Sequence, residues 1–548
     1  MPTMKRRLVV AVAGLGVAGL TVTLSGSPAD ASHELTRLTS VPAVVDARGV
    51  TAPNVLSPGL TEHPVAQGSM KLENPTGAVP YYGYDGDAPT LVPDPAVTQA
   101  PGHNVEASKT EPDKNTYLRL RGLHGADPHY DYGTHFLYQG HETGSPGYLT
   151  RINLDADDAH RVTLLATAQV DGTPIPDIDG STWDPWARRL LFTTESGGNA
   201  SVLQATPDLN STVQDVSAVT GRGGYEGIQN DSDGNLWIVE DVGGSVVGTK
   251  AKNPNSFLYR LVLTDKTDLT KGGTLEALQV ISRRTGQPIT FQPVDAAHPD
   301  GGAFTDDQKD LGNYGPAFAT RWVTVHDTAV DTSGKPFDAN ALAKAAGATP
   351  FKRPENGQFR PGSNFREFFF DATGDTNVLS SANASYGGWG GIFTLTQDRP
   401  GADTGTLSLF YAGDQAHTGF DNVTFLDTRH VAFVEDAGDT VHTQRAAFDS
   451  GYLFATDADY PHGAQPVRFL AEGRDPSATE DNLLGAVGNG FQNEGDNEIT
   501  GIHYSDGDPT PGGILGAKEP KLFRDGWRLF WNQQHGDNDA WEIVPAQG

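Results

Sequence analysis

The sequence contains no cysteine among its 548 residues. Disulfide bonds, thiolate nucleophiles and cysteine-ligated zinc sites are therefore excluded. Metal ions in such a chain would be bound mainly by oxygen ligands, with the 16 histidines as the other source of donors. Stability must come from the hydrophobic core and, we expect, from bound calcium.

Basic residues are scarce. Lysine and arginine number 39 against 69 aspartates and glutamates, which gives a formal net charge of −30 at pH 7. A chain with this charge repels nucleic acids and anionic membranes, so neither is expected as a partner. An anionic substrate would need metal ions to reverse the sign of the field at its binding site. The same acidity is also typical of a secreted protein that only has to stay soluble.

Long hydrophobic runs are absent after the N-terminal segment. A basic stretch at 5–7 precedes an apolar run at 8–24, and an A-x-A cleavage motif ends at Ala31. We interpret residues 1–31 as a signal peptide, and we expect a secreted protein with no membrane contact after cleavage. The arginine pair in the basic stretch fits twin-arginine export, and general secretion is the alternative.

Several common catalytic motifs are missing as well. The chain has no G-x-S-x-G elbow, no glycine-rich phosphate loop, no H-E-x-x-H and no EF-hand loop. Its chemistry must therefore be sought in another pattern.

That pattern is a repeated unit in which an acid, a turn, a short apolar strand and a second acid follow one another. The clearest copy lies at 223–260, where Glu226 precedes an Asp/Gly turn, the strand 236–239 and the pair Glu240-Asp241. A turn between two strand-like runs indicates a β-hairpin. Because carboxylates are costly to bury without a partner, acids at both strand ends suggest a shared cavity that holds cations.

The same spacing recurs along the chain. Further copies begin at Asp179, Glu355, Asp421 and Glu498, and 110–142 is a sixth candidate. Such a repeat is typical of a β-propeller, although Asp/Gly hairpin turns also occur in β-sandwiches. Six blades of ~40–50 residues need ~240–300 residues, which leaves room for insertions. We predict an all-β fold, a six-bladed β-propeller with an extended N-terminal arm and loop insertions.

The predicted propeller occupies residues 102–548. Residues 32–101 are rich in proline and glycine and are predicted to form an extended arm with few regular elements. Segments 283–320 and 335–349 interrupt the strand pattern, and the second is predicted to contain a short helix with Asp338 at its N-cap. Both are interpreted as insertions over one face of the propeller.

Propeller blades place their innermost strands around a central channel, so acids at the same place in each blade should converge. Several carboxylates in one cavity cannot all stay ionised without cations. Hard oxygen ligands suit Ca²⁺ or Mg²⁺, and also Fe³⁺ or Mn²⁺. Taken singly, each acid could instead cap a turn or pair with a basic residue. The candidate metal ligands are Glu142, Glu195, Glu226, Glu240, Glu355, Asp421 and Glu498.

Basic residues are the candidates for contact with an anionic substrate. Arg260, Arg353 and Arg468 could bind phosphate in a bidentate way, and surface pairing is the alternative for each. His141 and His535 each follow an apolar strand and could reach the same face as the acids. Arg260, Arg353 and His535 are the catalytic candidates.

At these residues, the sequence resembles the PhoX family of secreted bacterial alkaline phosphatases. The similarity runs in order over most of residues 105–548, and the shared order makes the individually weak motifs specific. The segments that carry it are Gly140-His-Glu142, Thr182-Trp-Asp-Pro-Trp186 through Glu195, Gly224-Tyr-Glu226, Asn255-Ser-Phe-Leu-Tyr-Arg260, Phe351-Lys-Arg-Pro-Glu355, Glu498-Ile-Thr-Gly501 and Trp531-Asn-Gln-Gln-His535.

The resemblance implies a six-bladed propeller whose channel holds calcium and iron ions. It also implies hydrolysis of a small phosphorylated substrate, a phosphate monoester, and export by the twin-arginine route. Glu195, Glu226 and Glu355 match the family's metal ligands, and Glu498 and His535 are weaker matches.

The chain departs from the family pattern at three places. The family's iron-ligating cysteine is absent, Ser196 replaces an acid, and Tyr225 replaces the histidine before Glu226. Because these departures affect the iron part of the site, Ca²⁺ is the expected cofactor, with Fe³⁺ or another metal as the alternative. A loss of activity would also be consistent with them.

We therefore predict a secreted, monomeric, metal-dependent phosphatase, and two alternatives stay open. Residues 225–241 also resemble a unit of gluconolactonase-like propellers, which are lactonases or arylesterases with a single divalent metal. The second alternative is a non-catalytic propeller that binds calcium only for stability.

Overall fold

A computed structural model describes residues 35, 38–45, 52–68, 70–83, 92–93, 104–105, 111–142, 147–195, 200–248, 251–376, 380–473, 498–534 and 538–546. The predicted signal peptide at 1–31, Ser196 and His535 lie outside these residues. Within the described ranges, no helix has both the length and the apolar character needed to cross a membrane.

The chain is mostly β. The N-terminal part supplies four strands, β1 (Val55–Leu56), β2 (Leu60–Ala66), β3 (Val92–Pro93) and β4 (Asn104–Val105). The next two groups of four are β5 (Pro112–Arg119), β6 (His135–His141), β7 (Leu149–Asn153), β8 (Val162–Ala166), β9 (Ile178–Asp184), β10 (Arg189–Thr194), β11 (Val202–Ala205) and β12 (Val213–Asp215).

Eleven strands follow in the middle of the chain. They are β13 (Tyr225–Asn230), β14 (Leu236–Glu240), β15 (Val246–Val247), β16 (Ala251–Lys252), β17 (Leu258–Leu263), β18 (Gly273–Val280), β19 (Ala317–Asp327), β20 (Gly357–Phe359), β21 (Glu367–Ala372), β22 (Gly391–Gln397) and β23 (Thr404–Ala412). The C-terminal strands are β24 (Phe420–Phe425), β25 (His430–Glu435), β26 (Ser450–Ala455), β27 (Val467–Ala471), β28 (Glu498–Ser505), β29 (Arg528–Gln534) and β30 (Asp539–Pro545).

Helices are few and short in the described residues. The α-helices are α1 (Ser217–Thr220), α2 (Asp306–Leu311), α3 (Ala339–Ala345) and α4 (Gly438–Arg445). Single 3₁₀ turns lie at Asp158–His160, Leu269–Lys271, Tyr460–His462 and Pro511–Gly513, with a longer one at Ser380–Tyr386.

Antiparallel pairing joins these strands into sheets in which most neighbours are consecutive along the chain. The orders are β5-β6-β7-β8, β12-β11-β10-β9, β13-β14-β17-β18-β19-β23-β22-β21-β20, β1-β27-β26-β25-β24 and β2-β30-β29-β28, with the pairs β15-β16 and β3-β4 apart. In the nine-stranded sheet, β19 pairs with both β18 and β23 and so connects two four-stranded units.

The sheets are arranged like the blades of a propeller. Their first strands contact one another in the cyclic order β5, β9, β13, β20, β24 and β28, and β28 contacts β5 again. The interior of this ring of strands is the central channel. Strands such as β13, β14 and β24 are buried along their whole length, because each sheet is covered by its neighbours on both faces.

The N-terminal arm is more regular than predicted. Strand β2 pairs with β30 and completes the sheet that contains the last strands of the chain, while β1 pairs with β27. The sequence LTEHPVA does not predict a strand because it contains a proline and charged residues, but these are tolerated in β2 at the edge of its sheet. Trp531 Nε1 donates to Glu62 Oε2 over 3.0 Å, so the arm is also fixed by a side-chain contact.

Aromatic side chains fill the space between neighbouring blades. Trp237 on β14 is buried and contacts Trp322, Phe359 and Phe368, with ring centroids 4.9–5.1 Å apart. Such aromatic pairs stabilise a core beyond the area that they bury. This packing fixes the position of β14, the second strand of its sheet, and with it the acids at the end of that strand.

The helix expected in 335–349 is confirmed. Helix α3 begins after Asp338, whose side chain accepts a hydrogen bond from Ala341 N over 2.8 Å. The segment 283–320 is less irregular than expected, since it contains α2 and the beginning of β19.

Candidate metal centre

The first strands of four sheets share one irregularity where they enter the channel. In β13, the register shifts between Tyr225 and Ile228, so that this strand advances three residues while β14 advances two. Strands β5, β9 and β24 shift in the same way. A bulge of this kind redirects side chains out of the regular alternation. The first residue inside each bulge is an acid, namely Asp113, Asp179, Glu226 and Asp421.

A second set of acids stands where the second strands end. The residue directly after β6, β10, β14 and β25 is in each case a carboxylate: Glu142, Glu195, Asp241 and Asp436. Each of these residues follows a buried strand whose register is fixed by its neighbours. The propeller repeat therefore brings two acids per sheet to the same end of the channel.

All of these acids except Asp241 line one cavity of about 330 Å³. Its charged lining consists of nine carboxylates and a single guanidinium, that of Arg353. The nine acids are Asp113, Glu142, Asp179, Glu195, Glu226, Glu355, Asp421, Asp436 and Glu498. So many carboxylates in so small a volume can all ionise only if cations enter it.

Two groups within this cavity have the geometry of metal sites. Carboxylate oxygens of Glu142, Asp179 and Glu195 lie within 4.8 Å of one another, and so do those of a second group. The second group consists of Glu226, Glu355 and Asp421. All six donors are hard oxygen ligands, which are the donors that Ca²⁺ prefers.

The protonation of the acids reflects their burial. Burial raises the pKa of Asp179 to about 8. Burial, together with the charges of Asp179 and Glu195, raises the pKa of Glu226 well above its ordinary value. The pKa values of Glu355 and Asp421 are raised in the same way, by burial and then by neighbouring aspartates. In the absence of metal, several of these carboxyl groups therefore hold protons near neutral pH.

Arg353 is the basic residue in the cavity wall. Its Nε donates to Asp241 Oδ2 over 2.7 Å, and Nη1 donates to Thr376 Oγ1 over 3.0 Å. Its Nη2 lies 3.5 Å from Glu355 Oε1, and 28% of the side chain is exposed. Its backbone has a φ of 52°, a left-handed conformation that is rare for a residue with a side chain. The guanidinium is thus fixed at the rim of the cavity, where it is open to an anion.

Lys114 lies below the acids, inside the channel. Its Nζ donates to Asn356 Oδ1 over 3.0 Å, and the residue is completely buried. Burial lowers the pKa of Lys114, while the charges of Asp421, Asp371 and Asp113 act in the opposite direction.

His503, which is also buried, has no hydrogen-bond partner for either ring nitrogen among the described residues. Burial, followed by the charge of Lys114, lowers the pKa of His503 to about 3.

Six of the seven predicted metal ligands line the cavity, and Glu240 does not. Glu240 Oε2 accepts hydrogen bonds from Phe257 N, Tyr259 Oη and Asn340 Nδ2 over 3.0–3.1 Å. Its carboxyl group therefore points into the blade, because Glu240 is still in register with Tyr225 on β13. The following residue, Asp241, does not line the cavity either, and its Oδ2 accepts the hydrogen bond from Arg353 Nε.

The other basic candidates are distributed differently. Arg260 is away from the cavity: its Nη2 lies 2.8 Å from Glu276 Oε2, and its guanidinium covers the Trp322 ring. Arg468 on β27 donates to the Tyr452 hydroxyl on the neighbouring strand β26. His141 is buried and stacks on Tyr148 inside its blade. Of the three predicted catalytic residues, Arg353 alone lines the cavity within the described part of the chain.

Three cavity acids were not among the predicted site residues: Asp113, Asp179 and Asp436. Asp179 and Asp436 belong to the repeat that the sequence displays, so aligning its copies by strand ends would have selected them. Tyr225, which replaces the family's histidine, is buried, and its hydroxyl donates to Thr220 O over 2.7 Å. It packs in the blade and leaves Glu226 as the channel-facing residue.

Part of the chain matches a known protein family. Residues 238–510, about half of the chain, match the family model described as "Alkaline phosphatase PhoX". None of the curated proteins matches the sequence.

The solved structures that match the chain include the following two. The structure titled "Pseudomonas fluorescens PhoX in complex with vanadate, a transition state analogue" has a TM-score of 0.53 and 11% identity, and the alignment covers 93% of this chain and 98% of that one. A glucose dehydrogenase structure has a TM-score of 0.35 and 11% identity, covers 80% and 97% of the two chains, and is too dissimilar to define a shared fold.

The first of these likenesses supports the propeller fold, and the family match supports a metal-dependent alkaline phosphatase. The resemblance found in the sequence is thereby confirmed: the chain belongs to the PhoX family of alkaline phosphatases.

Proposed function

We propose that this protein hydrolyses phosphate monoesters in the carboxylate-lined cavity, with metal ions held there as cofactors. The observation that carries the proposal is the convergence of nine carboxylates around about 330 Å³ with one arginine at the rim. One buried carboxylate oxygen of Asp179 has no hydrogen-bond partner in the described structure, which also supports a cation-binding role for this residue.

The donor set fits a hard metal ion. Glu142, Asp179 and Glu195 would hold one ion, and Glu226, Glu355 and Asp421 a second. Carboxylate oxygens without sulfur favour Ca²⁺, and Fe³⁺ or another metal is the alternative cofactor. Bound metal ions would neutralise the phosphoryl oxygens and lower the pKa of a water molecule.

The protein's own contribution centres on Arg353. Asp241 and Thr376 each accept one of its hydrogen bonds, which leaves further N–H groups for a phosphoryl oxygen. A guanidinium held in this way does not have to reorganise during the reaction. It can therefore stabilise the negative charge that develops on the phosphoryl group. Burial of the surrounding acids limits the access of bulk water and strengthens this interaction.

The proposal also includes the number of propeller blades and the export of the protein. The ring of first strands supports six blades, with the nine-stranded sheet counted as two blades joined by β19. The sequence of residues 1–31 supports export by the Sec or twin-arginine route, and we propose a secreted protein that is a monomer. The lactonase and structural alternatives require fewer converging acids than line this cavity.

The test combines metal analysis with turnover. Protein purified after export would be analysed for bound metals by mass spectrometry, and the same sample assayed with p-nitrophenyl phosphate before and after EGTA. We expect two or more bound ions and turnover that EGTA abolishes and calcium restores. A single bound calcium without phosphatase turnover would contradict the proposal and favour a lactonase or a structural propeller.

A further inference from the structure

A second cavity, of about 950 Å³, adjoins the carboxylate cavity. The two cavities share Glu195 and Arg353 in their walls. A phosphate monoester bound at Arg353 would therefore have its phosphoryl group in the smaller cavity. Its alcohol portion would extend into the larger one.

The larger cavity differs from the smaller one in charge and polarity. Three cations, those of Arg222, Lys252 and Arg353, stand against three acids, Glu195, Asp241 and Asp338. The cavity also has apolar lining from Val242, Pro336 and Phe337. A cavity with equal numbers of positive and negative side chains and a partly apolar lining suits an organic group. The nine carboxylates of the smaller cavity suit cations.

Phe337 gives this chamber a fixed aromatic surface. Its ring stacks on His326 with centroids 3.6 Å apart and planes at 17°, and Arg222 N donates to Phe337 O over 2.7 Å. The ring is half-buried, so part of it stays open to the cavity. An aromatic ring whose position is fixed by a stack and by its backbone binds a second ring at little cost in conformational entropy.

Part of the chamber wall carries no side chains. A Cβ atom on Gly224 would lie 2.5 Å from Asp241 O, and one on Gly223 would lie 2.6 Å from Glu240 Oε1. Larger residues are therefore excluded where the chain approaches the acid-bearing end of β14.

We propose that the larger cavity binds the alcohol portion of the substrate, and that Phe337 makes the enzyme selective for phosphate monoesters of aromatic alcohols. This inference rests on the proposed function, because it assumes that the phosphoryl group is bound in the carboxylate cavity. Phe337 acts here as a specificity-determining residue and takes no part in the bond-breaking step.

The test compares phenyl phosphate with glycerol 2-phosphate in Phe337→Leu and Phe337→Tyr. The leucine variant keeps most of the volume and loses the ring, so the ratio of kcat/KM values, phenyl over glycerol, should fall about five- to tenfold. The tyrosine variant should retain the ratio. Phe291→Leu is the matched control, since Phe291 is also half-buried, contacts Lys344 and lines neither cavity.

Binding of phosphonates separates this inference from the proposed function. Calorimetry would compare phenylphosphonate with methylphosphonate on the calcium-loaded protein, which needs no turnover. Tighter binding of the phenyl compound that is lost in Phe337→Leu supports the inference even if no ester is hydrolysed. An unchanged phenyl-to-glycerol ratio in Phe337→Leu, or equal binding of the two phosphonates, would overturn it.

Discussion

Lys114 and Asn356 meet inside the channel although 242 positions separate them, with Lys114 Nζ donating to Asn356 Oδ1 over 3.0 Å. Lys114 is on β5, whereas Asn356 directly precedes β20, and Asn356 N in turn donates to Asp371 Oδ1 over 2.8 Å. An amine is thus built into the fold beneath the acids. In its protonated form it offsets part of their repulsion.

Replacing Lys114 should weaken the fold. In Lys114→Met, the buried Asn356 Oδ1 loses its donor and the acids lose a counter-charge, so the free energy of unfolding should fall by about 1–3 kcal/mol. Urea denaturation in EDTA would measure the change. Lys335→Met, at an exposed lysine, is the control and should be neutral. Equal stability of the two variants would contradict a counter-charge role.

Two neighbouring glutamates should differ in their effect on metal binding. Glu226→Gln removes a donor from a group with metal-site geometry, so bound metal and phosphatase turnover should both fall at least about tenfold. Glu240→Gln should retain both, because its carboxyl group bonds within the blade. Metal analysis of the two purified variants would check this, and metal loss from Glu240→Gln would contradict the assigned orientation.

Removal of metal should make stability depend on pH. The pKa of Asp179 is about 8 in the folded protein and about 4 in the unfolded chain, so the folded state binds this proton more tightly. Its contribution is fully present below about pH 4 and is lost as the pH rises through about 8. The melting temperature in EDTA should therefore fall between about pH 5 and about pH 8.

Saturating calcium should suppress that fall, because the ions bind the deprotonated carboxylates. Melting curves with EDTA and with calcium, in the same buffers, would provide the comparison. A metal-free protein that became more stable as the pH rose would show that other groups dominate the linkage.

Arg353→Lys should lower kcat/KM for p-nitrophenyl phosphate about a hundredfold. Lysine keeps the charge, but it cannot bond Asp241 and Thr376 and still present a planar fork to a phosphoryl oxygen. Inhibition by inorganic phosphate should weaken in parallel. Arg366→Lys, at an exposed arginine, should leave both quantities unchanged. Full activity in Arg353→Lys would remove Arg353 from the proposed mechanism.

The sequence predicted most of the carboxylate cavity because the acids recur with the propeller repeat. Glu226, Glu355 and Asp421 could be selected from spacing alone, since each opens a copy of the unit. The orientation of Glu240 could not be predicted in that way. It depends on the bulge in β13, which determines the residue at which β14 leaves the blade.

Contacts between distant parts of the chain could not be predicted from the sequence. Lys114 looks like an ordinary lysine in a strand, and only the ring of first strands brings it to Asn356. Arg260 looked like a phosphate ligand, yet its position on the third strand of its sheet directs it to Glu276 and the Trp322 ring. Spacing predicts which residues share a face, whereas contact across the channel depends on how the ring closes.

The pairing of β2 with β30 has a consequence for how the protein acquires its shape. The final sheet combines β2 with the three strands β28, β29 and β30, so the circle cannot close until those three strands have been synthesised. Until then β2 has no partner, and its open hydrogen-bonding edge is exposed to other chains. Assembly of the acid ring is therefore a late event in folding, since β28 must lie beside β5 before Glu498 can reach the remaining carboxylates.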